Sequence, residues 1–350
     1  MTLKALTLDD IRLVPADFSK VVSRKDCDTS TLIDVQTLTV PLISSNMDAV
    51  YSPELSKEVI KHGGMSCVHR FSTVEENIRS FKDGRYGEVY PFVSVGIGPS
   101  ELERFEALVK AGAETVVLDV ANAASIEVVK AYDRMYELSG DNIGYIIGNF
   151  CTGEQIAAFR AHSKYIPTIF KIGIGNGSAC ETTKVTGMGL PTATTILRCK
   201  EEGGTLILDG GIKNSGDLAK AIALGADAVF VGRLFAACEE SGAQKYITFD
   251  DNKPSGEKVS NFKVYRGSAS ASSYETQGKT ADHRTPEGAE YLIPVSGTVE
   301  QFIKQMKAGL QSSMSYNNAI TLTEFRRNAK IIEITQNGLI EGTAYGRHHS

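Results

Sequence analysis

Residues 171–189 read Lys-Ile-Gly-Ile-Gly-Asn-Gly-Ser-Ala-Cys-Glu-Thr-Thr-Lys-Val-Thr-Gly-Met-Gly. An apolar run over 168–174 ends in the alternate glycines Gly173, Gly175 and Gly177, which deliver Ser178, Cys180 and Thr182 in quick succession. Glycines tolerate unusual φ/ψ, so neighbouring backbone N–H groups can turn toward one centre and form an anion-binding nest. Such a centre suits a phosphate, a thiolate, or the charge that develops when a thiolate attacks an electron-poor carbon. Taken alone, a glycine-rich loop with one cysteine is more often a turn carrying an inert thiol. The surrounding elements argue otherwise.

Short β-branched runs at 40–47, 65–68, 92–96, 115–120, 145–149, 168–174, 206–209 and 228–232 read as strands. Amphipathic segments at 52–62, 74–81, 101–111, 125–138, 153–161, 192–202 and 215–224 alternate with them. Each strand is too apolar to have one wet face, so the sheet is parallel and covered by helices, and a (β/α)8 TIM barrel is the economical closure. A doubly wound open sheet is the rival, but no Gly-x-Gly-x-x-Gly opens a first helix. A barrel puts its chemistry on the loops after the strands, and polar residues fall there. They are Ser45-Asn46-Met47-Asp48, His69-Arg70, Asp119 with Asn122, Gly148-Asn149, the cysteine loop, Asp209-Gly210-Gly211 and Gly232-Arg233. The last two loops are where barrels commonly cradle a phosphate on backbone N–H groups. The competing reading for Asp119, Asn122 and Asn149 is a helix N-cap.

The segment 6–15 looks like a lid outside the barrel. After strand eight, 244–290 is polar and reads as an excursion that includes a mobile active-site flap, and 298–310 returns as a final amphipathic helix. The whole chain, 1–350, is expected to be one catalytic domain. With 350 residues, 42% hydrophobic and 23% charged, it can bury a full core. A net charge of −5 argues against nucleic acid or an anionic membrane as the main partner. Six scattered cysteines without a CxxC pair suggest reduced thiols in the cytoplasm, with no disulfide framework and no zinc site. No run approaches the roughly 20 apolar residues of a membrane span.

Gly-Ile-Gly-x-Gly-Ser-x-Cys-x-Thr followed by Val-Thr-Gly-x-Gly-x-Pro resembles the catalytic loop of the IMP dehydrogenase/GMP reductase family. Leu-Thr-Leu-Asp-Asp-Ile-Arg-Leu-Val-Pro at 6–15 resembles that family's opening segment, so the resemblance runs through most of the chain. It implies that Cys180 adds to C2 of a purine nucleotide to form a covalent thioimidate, with hydride passing to or from a nicotinamide beside it. It implies that Thr182 assists proton transfer and that Glu287, in Arg284-Thr285-Pro286-Glu287-Gly288, is the general acid/base. By the same resemblance Ser178, Asp209, Gly211, Gly232 and Tyr265 hold the nucleotide's phosphate and ribose, with Ser45, Met47 and Arg284 on the substrate side. Arg70, Asp119, Asn122 and Asn149 fall on the nicotinamide side. Carbonyls of Gly173, Gly175 and Cys180 are candidates for a monovalent cation such as K+. Family barrels assemble as homotetramers or octamers.

Family dehydrogenases usually carry an inserted domain pair after strand two, whereas His69-Arg70-Phe71 runs straight into a helix. The flap also lacks the Arg-Tyr pair with which dehydrogenases activate water. Both features favour an NADPH-dependent GMP reductase releasing IMP and ammonia. Pro286-Glu287-Gly288-Ala289-Glu290 looks more like a dehydrogenase, so an IMP dehydrogenase using NAD is the alternative, and a non-catalytic nucleotide-binding barrel is a third reading. Asn176 replaces the loop proline, Glu181 and Thr183 replace the residues flanking Thr182, and Ser268 replaces a methionine, which bears on the purine preference. Arg70 stands where the reductases show lysine and suits electrostatics better than proton transfer.

Overall fold

A computed structural model describes residues 4–249, 258–270 and 286–342. Three short strands come first: β1 (Ile11–Val14), then a hairpin of β2 (Thr31–Ile33) and β3 (Gln36–Leu38). Eight parallel strands follow: β4 (Leu42–Ser44), β5 (Met65–Val68), β6 (Phe92–Val95), β7 (Thr115–Asp119), β8 (Gly144–Phe150), β9 (Ile169–Ile172), β10 (Thr205–Asp209) and β11 (Ala228–Val231). They pair in sequence order, and β11 closes back onto β4. Helices join successive strands, from Pro53–Lys61 through Ser215–Leu224. Their starts are chemically marked: Ser52, Thr73, Ser125, Thr152 and Asn214 each accept a hydrogen bond from a first-turn N–H. This is the (β/α)8 barrel that the alternating pattern required.

Alternation along each strand sorts the core. Val117, Ile146, Ile169, Ile207 and Phe230 pack inside the barrel, while Leu118, Phe170, Ile172, Leu206 and Leu208 pack under the helices. Two residues beyond Val117, Ile169 and Ile207 stand Asp119, Lys171 and Asp209. The same two-residue period that fills the barrel therefore aims three charged side chains into its upper end.

Two segments hold strands beyond the sequence expectation. The excursion over 244–290 contains an antiparallel sheet, β12 (Lys245–Phe249), β13 (Lys258–Arg266) and β14 (Glu290–Pro294). Its strands are hard to see in composition because the inward positions of β13 include a lysine; Lys263 and Tyr265 are buried while Phe262 and Val264 are half-buried. Residues 250–257 and 271–285 of this excursion, which was expected to include the flap, lie outside the described residues. The second segment, 6–15, carries a strand outside the barrel: β1 pairs antiparallel with β15 (Lys330–Glu333), and Leu8 and Ile11 are buried in the main core. Its neighbours Thr7, Leu8 and Asp9 do reach the edge of the central cavity. Among the described residues no helix is long and apolar enough to cross a membrane.

Lys263 fastens this added sheet to the barrel. Its ammonium donates to the carbonyls of Cys238 (2.5 Å), Glu239 (3.0 Å) and Ser241 (3.2 Å) and to Ser241 Oγ (2.6 Å). Burial, with Lys245 nearby, lowers its pKa from 10.5 to about 8. The unfolded chain thus holds that proton more tightly, so this group makes stability rise with pH between about 8 and 10.5. Lys263→Met is expected to lose that rise and to destabilise the protein by about 1–3 kcal/mol at neutral pH, because buried carbonyls lose their donor. Thermal unfolding of the two proteins across that pH range checks both effects.

Candidate active site

The strand ends open on a cavity of about 1130 Å³ lined by loops from almost every strand. Sites for a single small ligand run to about 300–1,000 Å³. There is room here for two ligands side by side.

Cys180 enters this cavity on the loop after β9. It is the exposed cysteine of the six, all of them free thiols. Cys27, Cys67, Cys199 and Cys238 are buried and Cys151 is half-buried, and burial pushes each of these five thiols up in pKa and away from reactivity. The Cys180 thiol donates to the Thr182 hydroxyl at 3.2 Å. Backbone pairing supports the loop: Cys180 bridges Gly288, the Glu181 N–H donates to the Glu287 carbonyl at 2.7 Å, and the Ala289 N–H donates to the Ala179 carbonyl at 2.9 Å. This short ladder places Glu287 on the cavity rim beside Cys180, so Cys180, Thr182 and Glu287 line one space.

On a second wall Gly232, Tyr265, Met47 and Ser45 converge. A Cβ on Gly232 would lie 2.6 Å from the Tyr265 hydroxyl, so only glycine permits this approach. The buried Tyr265 hydroxyl donates to Met47 Sδ at 3.8 Å and also bonds Ser178. Burial raises its pKa, so the phenol keeps its proton and remains a donor. Arg266, next along β13, donates from Nε to Asp48 at 3.0 Å and forms an ion pair with it, tying the added sheet to the loop after β4. Ser178 and Gly211 complete this wall.

The floor is polar and buried. Lys171 Nζ lies 2.8 Å from Asp119 Oδ1 and 2.7 Å from Asp209 Oδ2. Burial acts to lower the lysine pKa, but the two carboxylates more than offset it and hold the ammonium charged. For Asp119, burial acts upward and is outweighed by Lys171 and Arg70, leaving its pKa below the usual value. Asn149 donates to Asp209 Oδ2 at 2.9 Å and to the Gly173 carbonyl at 2.6 Å. Of the three carbonyls expected to hold a cation, that of Gly173 accepts this bond on one of its two lone pairs.

Arg70 lines the cavity with its guanidinium 4.9 Å above the Phe71 ring. Its buried Nε, and the buried Nδ2 of Asn176, have no hydrogen-bond partner among the described residues. Both residues line the cavity, so two donors stand ready for ligand oxygens, which fits a nicotinamide carboxamide or a phosphate. His69 is set back from the cavity; its Nδ1 accepts from the Phe71 N–H at 3.1 Å. Burial keeps its pKa below 6.5, although Asp48 acts the other way.

One expected site residue is absent from the lining, and another cannot be placed. Asn122 is exposed, outside the lining, and accepts from the Ala124 N–H at 3.2 Å. Arg284 lies outside the described residues. Conversely, Lys171 had no assigned role in the sequence and Asn176 stood only as a departure from a motif. The signal for Lys171 was present: it follows Ile169 by two, so a mid-strand charge had to point inward.

A family model described as the IMP dehydrogenase / GMP reductase domain matches residues 5–345. The inosine-5'-monophosphate dehydrogenase of Borreliella burgdorferi is 30% identical over an alignment covering 97% of this chain and 96% of that protein. The enzyme of the same name from Cryptosporidium parvum is 29% identical, covering 97% and 94% respectively. That of Thermoplasma acidophilum is 36% identical over 71% of this chain but only 50% of its own length. Matched along nearly its whole length and folded as the closed barrel its strands required, the chain belongs to the IMP dehydrogenase / GMP reductase family of oxidoreductases.

Proposed function

We propose that the protein is an IMP dehydrogenase, converting IMP, NAD and water to XMP and NADH. An aromatic C2–H cannot leave as hydride until that carbon becomes tetrahedral, and addition of the Cys180 thiolate makes it so. Loss of hydride from C2 then leaves a thioimidate on Cys180; water adds at C2 and the thiolate departs, giving XMP. When bound, the nicotinamide supplies the hydride acceptor. Thr182 holds the thiol before attack, and Glu287, beside it on the rim, is placed to take the proton of the attacking water. Asp209 is the acceptor for ribose hydroxyls, Ser178, Gly211, Gly232 and Tyr265 take the phosphate side, and Arg70 with Asp119 takes the nicotinamide side.

What supports the dehydrogenase over the reductase is that relatives matched over 94–96% of their own length bear that name. An uninterrupted run from β5 into Val74–Asp83 therefore does not select the reductase. Conversion of GMP with NADPH is kept as a second reading because residues 268–290 contain no Arg-Tyr pair. K+ is a further candidate cofactor, with the Gly173, Gly175 and Cys180 carbonyls as donors and no step depending on it. We place the protein in the cytoplasm, on its free thiols, as a homotetramer or octamer.

The test is absorbance of the reduced nicotinamide. Its appearance with IMP and NAD is expected; its consumption with GMP and NADPH instead would transfer the assignment to the reductase.

A further inference from the structure

We infer that Lys171 is a positioning residue that serves both halves of the cavity at once, so that nucleotide affinity and nicotinamide affinity rest on one buried ammonium. This deepens the dehydrogenase reading and relies on it for the identity of the two ligands.

The argument begins with exposure. The Lys171 side chain is 3% exposed, whereas its two partners, Asp119 and Asp209, are 19% and 26% exposed. All three side chains border the cavity, but the lysine is almost wholly covered while the carboxylates keep part of their surface open. A purely structural buried ion pair would hide both signs of charge; here the anionic side is offered to ligands and the cationic side is not. The bridge also joins different strands, with Asp119 ending β7, Lys171 on β9 and Asp209 ending β10. Asn149 on β8 adds a link from Asp209 to the Gly173 carbonyl, the start of the cysteine loop.

Chemistry explains why one ammonium is needed. Two carboxylates within hydrogen-bond reach of the same nitrogen would repel each other if it were neutral, and one would take up a proton. A protonated carboxyl is a poorer acceptor for a ribose hydroxyl, and an unpaired one turns toward solvent. Other groups facing the cluster do not replace the lysine. Arg70 acts on Asp119, Asn46 bonds Asp119, and Cys67 is a buried neutral thiol. The Phe230 ring, 5.3 Å from Nζ, completes the pocket without accepting a full hydrogen bond. Lys171's bond to Asp209 and Asn149's bond to it converge on Oδ2, which leaves Oδ1 for the ligand.

The experiment measures equilibrium binding of IMP alone and of NAD alone to the full chain by calorimetry, together with KM and kcat. Lys171→Met and Lys171→Gln are each expected to weaken both ligands at least about tenfold, with kcat at saturation falling less. Lys171→Gln keeps a hydrogen-bond donor and carries the test if Lys171→Met does not fold. Lys171→Arg, which preserves the charge, is expected to restore both affinities to within about threefold of the parent. Asp209→Asn is expected to weaken IMP selectively, and Asp119→Asn to weaken NAD selectively. Loss of only one affinity in the folded Lys171 variants, or a fall in kcat with both affinities intact, overturns the inference while leaving the dehydrogenase reading in place. A parent protein that binds neither IMP nor NAD overturns both together.

Discussion

Cys180→Ala is expected to lower turnover by about 10⁴-fold or more, with nucleotide affinity and thermal stability little changed. The size follows from the chemistry: without covalent addition, C2 of the purine has no route to a tetrahedral carbon that can release hydride. The selectivity follows from the structure. The loop is held by backbone bonds, Cys180 N–H to the Gly177 carbonyl at 3.0 Å and the ladder to Glu287 and Ala289, and none of them uses the sulfur. Its side-chain bond is the one to Thr182. No other cysteine can substitute, since the remaining five are wholly or partly buried. Steady-state kinetics beside equilibrium binding of the nucleotide separates the two effects. Retained turnover would mean that the thiol is not the nucleophile.

Gly210→Ala is expected to damage catalysis without touching a reactive group. Gly210 sits at φ +84°, and a Cβ there would lie 2.9 Å from Gly177 N, 3.0 Å from Gly177 Cα and 3.1 Å from the Asn176 carbonyl carbon. All three are backbone atoms of the cysteine loop, so no side-chain rotation can relieve the contact. The loop must move or the backbone at 210 must strain, at about 1–3 kcal/mol. Cys180 lies three residues beyond Gly177, and a displacement near 1 Å costs on the order of 10²-fold in rate. We therefore expect kcat to fall about 100-fold with a lowered Tm. A fall in Tm with kcat unchanged would show that the contact between the loops after β9 and β10 supports the fold alone.

The barrel was legible because its two signals are periodic. Two-residue alternation within strands and helical alternation between them locate every barrel strand, and glycine or acidic residues mark the strand ends. The site was legible where chemistry needs a rare arrangement, as in Gly173 to Thr182. It was not legible where meaning depends on pairing across strands. Lys171 lies in an apolar run and reads as an interruption until Asp119 and Asp209 are brought to it from 52 and 38 residues away. Lys263 is similar: its four acceptors belong to the turn over 238–241, and nothing local in Asn-Phe-Lys-Val-Tyr foretells them. The strand Ile11–Val14 within the segment 6–15 is not visible locally because its partner, Lys330–Glu333, lies at the far end of the chain. Asn122 shows how a polar residue after a strand can also satisfy its own turn.

The most direct measurement is the mass of the protein quenched with acid during turnover with IMP and NAD, followed by mapping of the modified peptide. The account predicts a purine nucleotide attached through Cys180, absent when NAD is omitted and absent in Cys180→Ala. XMP formed by a protein that never carries nucleotide on Cys180 would contradict it.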